Sequence, residues 1–134
     1  MRHDPILVAD RPIGDSSAAA ALLAPGFAGL AHEELKVLHM DGALRPLAVG
    51  TETGAGGLSV EVPVRRLIGL ALALGSRALI LAHNHPGGDP TPSRADRTAT
   101  RRLIEVAHPL DIRVIDHLVF AAAGWRSFRA LGLL

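Results

Sequence analysis

The apolar pattern of this chain changes period several times, and each change predicts an element. Asp15 and Ser16 are good N-cap residues ahead of "SAAAALLA", a short helix that Pro25 and Gly26 end. "EELKVLHMDGALRPLAVGTE" alternates as two strands joined by a two-residue turn at Asp41-Gly42, with Leu35, Val37 and His39 on one face and Leu38 and Met40 on the other. "VPVRRLIGLALAL" has helical spacing, Pro63 near its start and Gly75 just past its end. "RALILAH" is apolar without alternation, as expected of a strand covered on both faces.

From Ser93, "SRADRTATRRLIEVAH" returns to helical spacing, with Ala99, Leu103 and Val106 as the expected apolar stripe and Pro109 as its stop. "IRVIDHLVFA" predicts a further strand, Gly124 a turn, and "WRSFRALGLL" a short strand with a terminal turn. The order α, β, β, α, β, α, β, β implies an α/β domain with a mixed β-sheet packed between α-helices. Residues 1–28 are expected to form a short N-terminal helical segment ahead of a main domain over 29–134.

Composition narrows the chemistry. A length of 134 residues suits one domain, and the 49% hydrophobic content is aliphatic, with three Phe, one Trp and no Tyr. With no cysteine, disulfides, thiol nucleophiles and Cys-based metal sites are excluded, so any metal must use His and carboxylates. No apolar run reaches the roughly 18 residues that span a bilayer, and the polar, proline-broken N-terminus does not resemble a signal peptide. A soluble cytoplasmic protein is expected, with no membrane partner. A formal net charge of +1 supplies no overall field toward nucleic acid. The glycine-rich "TGAGGLS" lacks the Gly-Lys-Ser/Thr ending of a phosphate-binding loop and is read as an ordinary loop.

The densest chemistry lies in "LAHNHPGGDPTPSRAD". Strand alternation sends His83 and His85 to one face and Asn84 to the other. Pro86, Pro90 and Pro92 stiffen the following loop, and Asp96 falls in the first turn of the next helix, able to face back toward the strand end. Two imidazoles and one carboxylate make three protein ligands, and a fourth tetrahedral position left to water is the pattern of a catalytic zinc site. Zinc lowers the pKa of such a water to about 7, which points to hydrolysis. Each part also has a plainer reading. Exposed His-x-His pairs are common, Ser93-x-x-Asp96 is a capping-box pattern, and Asp89 before Pro90 suits an Asx turn.

Taken together, "HNHPGGDPTPSRAD" resembles the JAMM signature of the JAB/MPN metalloprotease superfamily in the form that RadC-family proteins carry. "EELKVLHMDG", Gly50-Thr51, "ALILAHNHP", "VIDHLVF" and "SFRALGLL" resemble RadC blocks in order, so the likeness covers about residues 29 to 134. The resemblance implies a JAB/MPN (cytidine-deaminase-like) fold, with His83, His85 and Asp96 as zinc ligands. It makes Ser93 a group that orients or stabilises the developing oxyanion, and an upstream acid the general base. Glu33 fits best, eight residues before Asp41, with Glu34 as its rival; strand alternation lets only one face the metal. Asn84 stands where deubiquitinating relatives carry Ser or Thr, so ubiquitin-type specificity is not implied.

Asp116-His117 belongs to a block of no assigned role, which leaves His117 as a candidate to support a ligand from behind, while His39 and His108 are read as structural. Arg94, Arg97 and Arg101, with Arg102 beside them, form a basic stripe that suits a solvated helix face better than a duplex-binding surface. The scarcity of aromatics argues against single-strand binding, and the family's helix-hairpin-helix module has no counterpart in these residues. A zinc deaminase is excluded because its Pro-Cys-x-x-Cys is absent. The expectation is a zinc-dependent hydrolase of the RadC/JAMM type, cleaving a peptide or isopeptide bond in a peptide or protein substrate. The alternative is a DNA-repair-associated or partner-docking module that holds a metal without turnover. Oligomeric state is left open.

Overall fold

The computed structural model describes residues 2–5 (backbone only), 12–53 and 62–134. Most of the glycine-rich loop, from Gly54 to Ser59, lies outside the described residues. The elements run β1 (Arg2–Pro5), α1 (Ser16–Leu23), β2 (Glu34–Met40), β3 (Pro46–Thr53), α2 (Val64–Leu74), β4 (Ala78–Asn84), α3 (Arg94–Ala107), β5 (Arg113–Ala121) and β6 (Gly124–Ser127). They build one six-stranded sheet in the order β1-β3-β2-β4-β5-β6. Among the described residues only β4 and β5 pair in parallel, so the sheet is mixed as expected.

The even and odd positions of the central strands feed two separate cores. On one face Leu38, Met40, Ile80, Ala82 and Leu118 pack with Ala19, Leu23 and Phe27 of α1 and the turn after it. On the other, Leu35, Val37, Leu79 and Leu81 pack with Leu67 and Ala71 of α2 and Leu103 and Ala107 of α3. Every residue of β4 is buried, which explains its unbroken apolar run. Asp15 caps α1 by accepting the Ala18 N–H, and Gly75 ends α2 in the left-handed conformation at φ 70°. No helix among the described residues is long and apolar enough to cross a membrane.

Three details depart from the sequence reading. Arg2–Pro5, placed by the sequence in an N-terminal helical segment, adds an antiparallel edge strand to β3. The β2–β3 connection is longer than two residues: Asp41 Oδ1 accepts from the N–H groups of Ala43 and Arg45, and Leu44 takes the left-handed position at φ 62°. That strain is offset by burial, because Leu44 packs against the α1-side core. The buried face of α3 is rotated from the expected stripe, carrying Thr100, Leu103 and Ala107 while Val106 is exposed. Thr100, although polar, is 1% exposed because its hydroxyl is bonded inside the site.

Candidate metal centre

Near the end of β4, His83 lies on the α2/α3 face, and the backbone N–H of His85 continues the strand by donating to Phe120 O at 2.7 Å. The following loop turns through Gly88, at φ 95°, and reaches the N-terminus of α3. There Ser93 and Asp96 form a capping box: Asp96 N–H donates to Ser93 Oγ at 3.0 Å, and Ser93 N–H donates to Asp96 Oδ2 at 2.8 Å. The same Oδ2 lies 3.3 Å from His83 Nε2 and 3.2 Å from His85 Nε2, and the two imidazole nitrogens are 2.9 Å apart. The plainer capping role and the ligand role therefore meet on one oxygen, and the cap fixes the carboxylate's direction.

Hydrogen bonds on the far side of each ring decide what faces inward. Thr100 Oγ1–H donates to Asp96 O at 2.8 Å, so its oxygen must accept from His117 Nδ1–H at 2.6 Å. His117 Nε2 is then a lone pair and accepts from His83 Nδ1–H at 2.6 Å. His85 Nδ1–H donates to Asp89 O at 2.8 Å. Both histidines thus turn an Nε2 lone pair toward a carboxylate oxygen. Three acceptors with no donor among them need a cation, either a proton on one imidazole or a metal ion.

Tetrahedral zinc with bonds of about 2.0 to 2.1 Å would separate its ligand atoms by roughly 3.3 to 3.4 Å, close to the spacing here. His83, His85 and Asp96 are also a cluster whose donor atoms all lie within 4.8 Å of one another. The residues therefore fit a metal ion, and no cysteine or fourth protein ligand is needed.

The electrostatics are those of the alternative in which the cation is a proton shared between His83 and Asp96. Burial alone would raise the Asp96 carboxyl, but hydrogen bonding and attraction from His83, aided by Ser93, outweigh it and hold the group well below its ordinary value. Burial, reinforced by repulsion from His83, drives His117 well below its ordinary value against the opposing pull of Asp96. His117 is therefore neutral and able to accept from His83. It is fixed by stacking on Phe128, with ring centres 4.5 Å apart.

The remaining candidates fall into place around this cluster. Ser93 is exposed and touches the cluster through Asp96. Glu33 is half-buried and stands one residue before β2. Leu35 pairs with His83 across β2 and β4, and strand alternation carries position 33 to the same face as Leu35. Glu34 goes to the opposite face, where Lys36 Nζ lies 2.9 Å away and His32 also approaches.

Asn84 clamps the chain on both sides of Glu33, its Oδ1 accepting from Glu34 N–H at 2.7 Å and its Nδ2 donating to His32 O at 2.9 Å. Asp89 has the turn role expected of it, accepting from the Thr91 N–H and hydroxyl. His39 is buried against Ser76, and His108 follows the end of α3. Sequence reasoning missed Thr100 and the Asp89 carbonyl; the one available signal was that Thr100 follows Asp96 by four, on the same helical face.

A model of the RadC-like JAB domain matches residues 13–133. The chain is 42% identical over 107 residues to UPF0758 protein YfjY of Escherichia coli, covering 80% of this chain and 67% of that protein. It is 41% identical over 118 residues to UPF0758 protein YeeS of the same organism, covering 87% and 79%. With UPF0758 protein STH371 of Symbiobacterium thermophilum it shares 40% identity over 112 residues, which are 84% of this chain and 48% of that relative, so it spans about half of that protein's length. With the family match extending over nearly the whole chain and carrying the His83, His85 and Asp96 cluster, the chain belongs to the RadC-like JAB domain family.

Proposed function

We propose that this domain is a zinc-dependent hydrolase that cleaves a peptide or isopeptide bond, with His83, His85 and Asp96 holding the metal. The observation that carries this reading is the convergence of three lone-pair atoms, at 2.9 to 3.3 Å, whose outer partners leave no donor among them and so call for a cation. Zinc bound there supplies a Lewis acid that polarises a carbonyl and acidifies water at neutral pH. Glu33 takes the proton of the attacking water and returns it to the leaving amine. Asn84 supports that role by fixing the backbone at His32 and Glu34. Ser93 accepts the Asp96 N–H with its oxygen, which leaves its hydroxyl proton to donate toward a developing oxyanion.

A peptide-library cleavage screen with zinc-loaded protein tests the reaction. Glu33→Gln is expected to retain zinc and lose about 100- to 10,000-fold in turnover, while Glu34→Gln cleaves at close to the wild-type rate. Wild-type turnover by Glu33→Gln contradicts the base assignment, and failure of the zinc-loaded protein to cut any peptide favours a docking module that holds metal without turnover.

The chain from Thr100 through His117 to His83 has its own expected result. Thr100→Val keeps the shape but removes the oxygen that accepts from His117, freeing that ring to flip its tautomer and release His83 Nδ1–H. Zinc affinity is expected to fall about 10- to 100-fold, read by calorimetric titration with a competing chelator. An unchanged affinity would show that the chain does not orient His83.

A further inference from the structure

We propose that the cleft beside the metal centre selects an extended peptide segment with two acidic side chains four residues apart and an aliphatic one midway, its acids held by Arg94 and Arg102. The proposal rests on the hydrolase reading and names the substrate class for that site. The cleft encloses about 740 Å³, with Leu35, Val62 and Val64 on one wall, α3 on the other, and His83 and Asp96 at its base. This size lies in the roughly 300 to 1,000 Å³ range of ligand sites.

Charge decides what enters. Among the described residues, the ionisable ones lining the cleft are Arg94, Arg102, His83, His117 and Asp96, and Asp96 is the metal-cluster oxygen donor. Among the described residues, neither arginine takes part in an ion pair. A ligand carboxylate would give each guanidinium an ion-pair partner that none of the described residues supplies, in a geometry that arginine binds bidentately.

Spacing decides the form of the ligand. Arg94 and Arg102 are eight residues apart on one helix, about 12 Å along its axis at 1.5 Å per residue. An extended peptide rises about 3.3 Å per residue, so side chains four apart share a face at about 13 Å. The residue midway on that face meets Ala95, Thr98 and Ala99, a small and largely apolar stretch that accepts an aliphatic side chain. Among the described residues, the lining holds no Phe or Trp on which a nucleic-acid base could stack, which favours a peptide over a single strand.

The test is fluorescence anisotropy on the full chain, with zinc and separately with a chelator. The probe is a fluorescein-labelled heptapeptide with glutamate at its second and sixth positions, valine at the fourth and alanine elsewhere. A glutamine version removes the charge, and moving the second glutamate one position places it on the opposite face. The acidic, correctly spaced peptide is expected to bind about tenfold or more tighter than the glutamine version. Arg102→Gln, an exposed change, is expected to weaken it about three- to tenfold and abolish the spacing preference.

Equal binding of the glutamine version, no saturable binding of any of the peptides, or an Arg102→Gln variant that behaves as wild type overturns the proposal. Tighter binding of labelled oligothymidine that depends on the same arginines also overturns it and assigns the cleft to nucleic acid. Persistence of the acidic preference in a protein that takes up no zinc keeps the cleft assignment and removes the metal reading. Zinc uptake without the preference does the reverse.

Discussion

Asp96→Ala is expected to abolish turnover and lower zinc affinity by more than about 100-fold, beyond what loss of an outer hydrogen-bond partner costs. The substitution removes one of three ligand atoms and leaves the lone pairs of His83 and His85 facing each other at 2.9 Å. It also deletes half of a capping box, because Asp96 Oδ2 no longer accepts the Ser93 N–H. That part costs about 1 kcal/mol of stability, read from denaturant midpoints. Asp96→Asn separates the two effects, since the amide oxygen still accepts at the cap but brings no charge to the cluster. Zinc affinity at the wild-type level in both variants would remove Asp96 from the ligand set.

Asp116→Ala is expected to be the most damaging substitution for the fold itself. The carboxylate is 1% exposed and fully engaged, with Ser16 and Ser127 hydroxyls donating to Oδ2 and the N–H groups of His117 and Arg129 donating to Oδ1. One side chain thereby ties the start of α1, the end of β6 and the turn after it to the middle of β5. Removing it leaves four donors without their acceptor, those of Ser127 and His117 on buried residues, for a loss of about 3 to 5 kcal/mol by urea unfolding. Domains of this size have only about 5 to 15 kcal/mol in total. Ser16→Ala, which removes one donor and leaves the carboxylate three, should cost about 1 kcal/mol. A shift below 1 kcal/mol for Asp116→Ala would mean that the network contributes little. Because His117 is the next residue along the strand, zinc affinity should fall with stability in Asp116→Ala but not in Ser16→Ala.

What the sequence made legible was local. His83 and His85 could be paired because strand alternation acts over two residues, and Asp96 because the first turn of a helix has a fixed direction relative to its cap. Gly75 as a helix stop and Asp15 as a cap rest on the same short-range rules. What stayed hidden depended on register between distant segments. Asn84 can bracket Glu33 only because β2 and β4 align Leu35 with His83, and no spacing along the chain encodes that pairing. Thr100 drew no reading from the sequence, because its role depends on β5 bringing His117 against it.

The rotated stripe of α3 has the same origin. Counting apolar residues favours Ala99 and Val106, but the hydrogen bonds of Asp96 and Thr100 orient the helix by its polar residues instead. Likewise Asp41-Gly42 signalled a tight turn, and a core contact for Leu44 made the longer loop the better solution. Glu33 and Glu34 could be told apart in principle by alternation. The separation became concrete once Lys36 and His32 engaged Glu34 on the far face.

The central claim is that His83, His85 and Asp96 together hold one zinc ion, and the most direct measurement is elemental analysis of the purified chain joined to zinc X-ray absorption. The account predicts one zinc per chain, removable by chelator, in a shell of imidazole nitrogen and oxygen without sulfur, and lost in Asp96→Ala. Protein that takes up no zinc when zinc is supplied, or that keeps it undiminished in Asp96→Ala, would contradict the account.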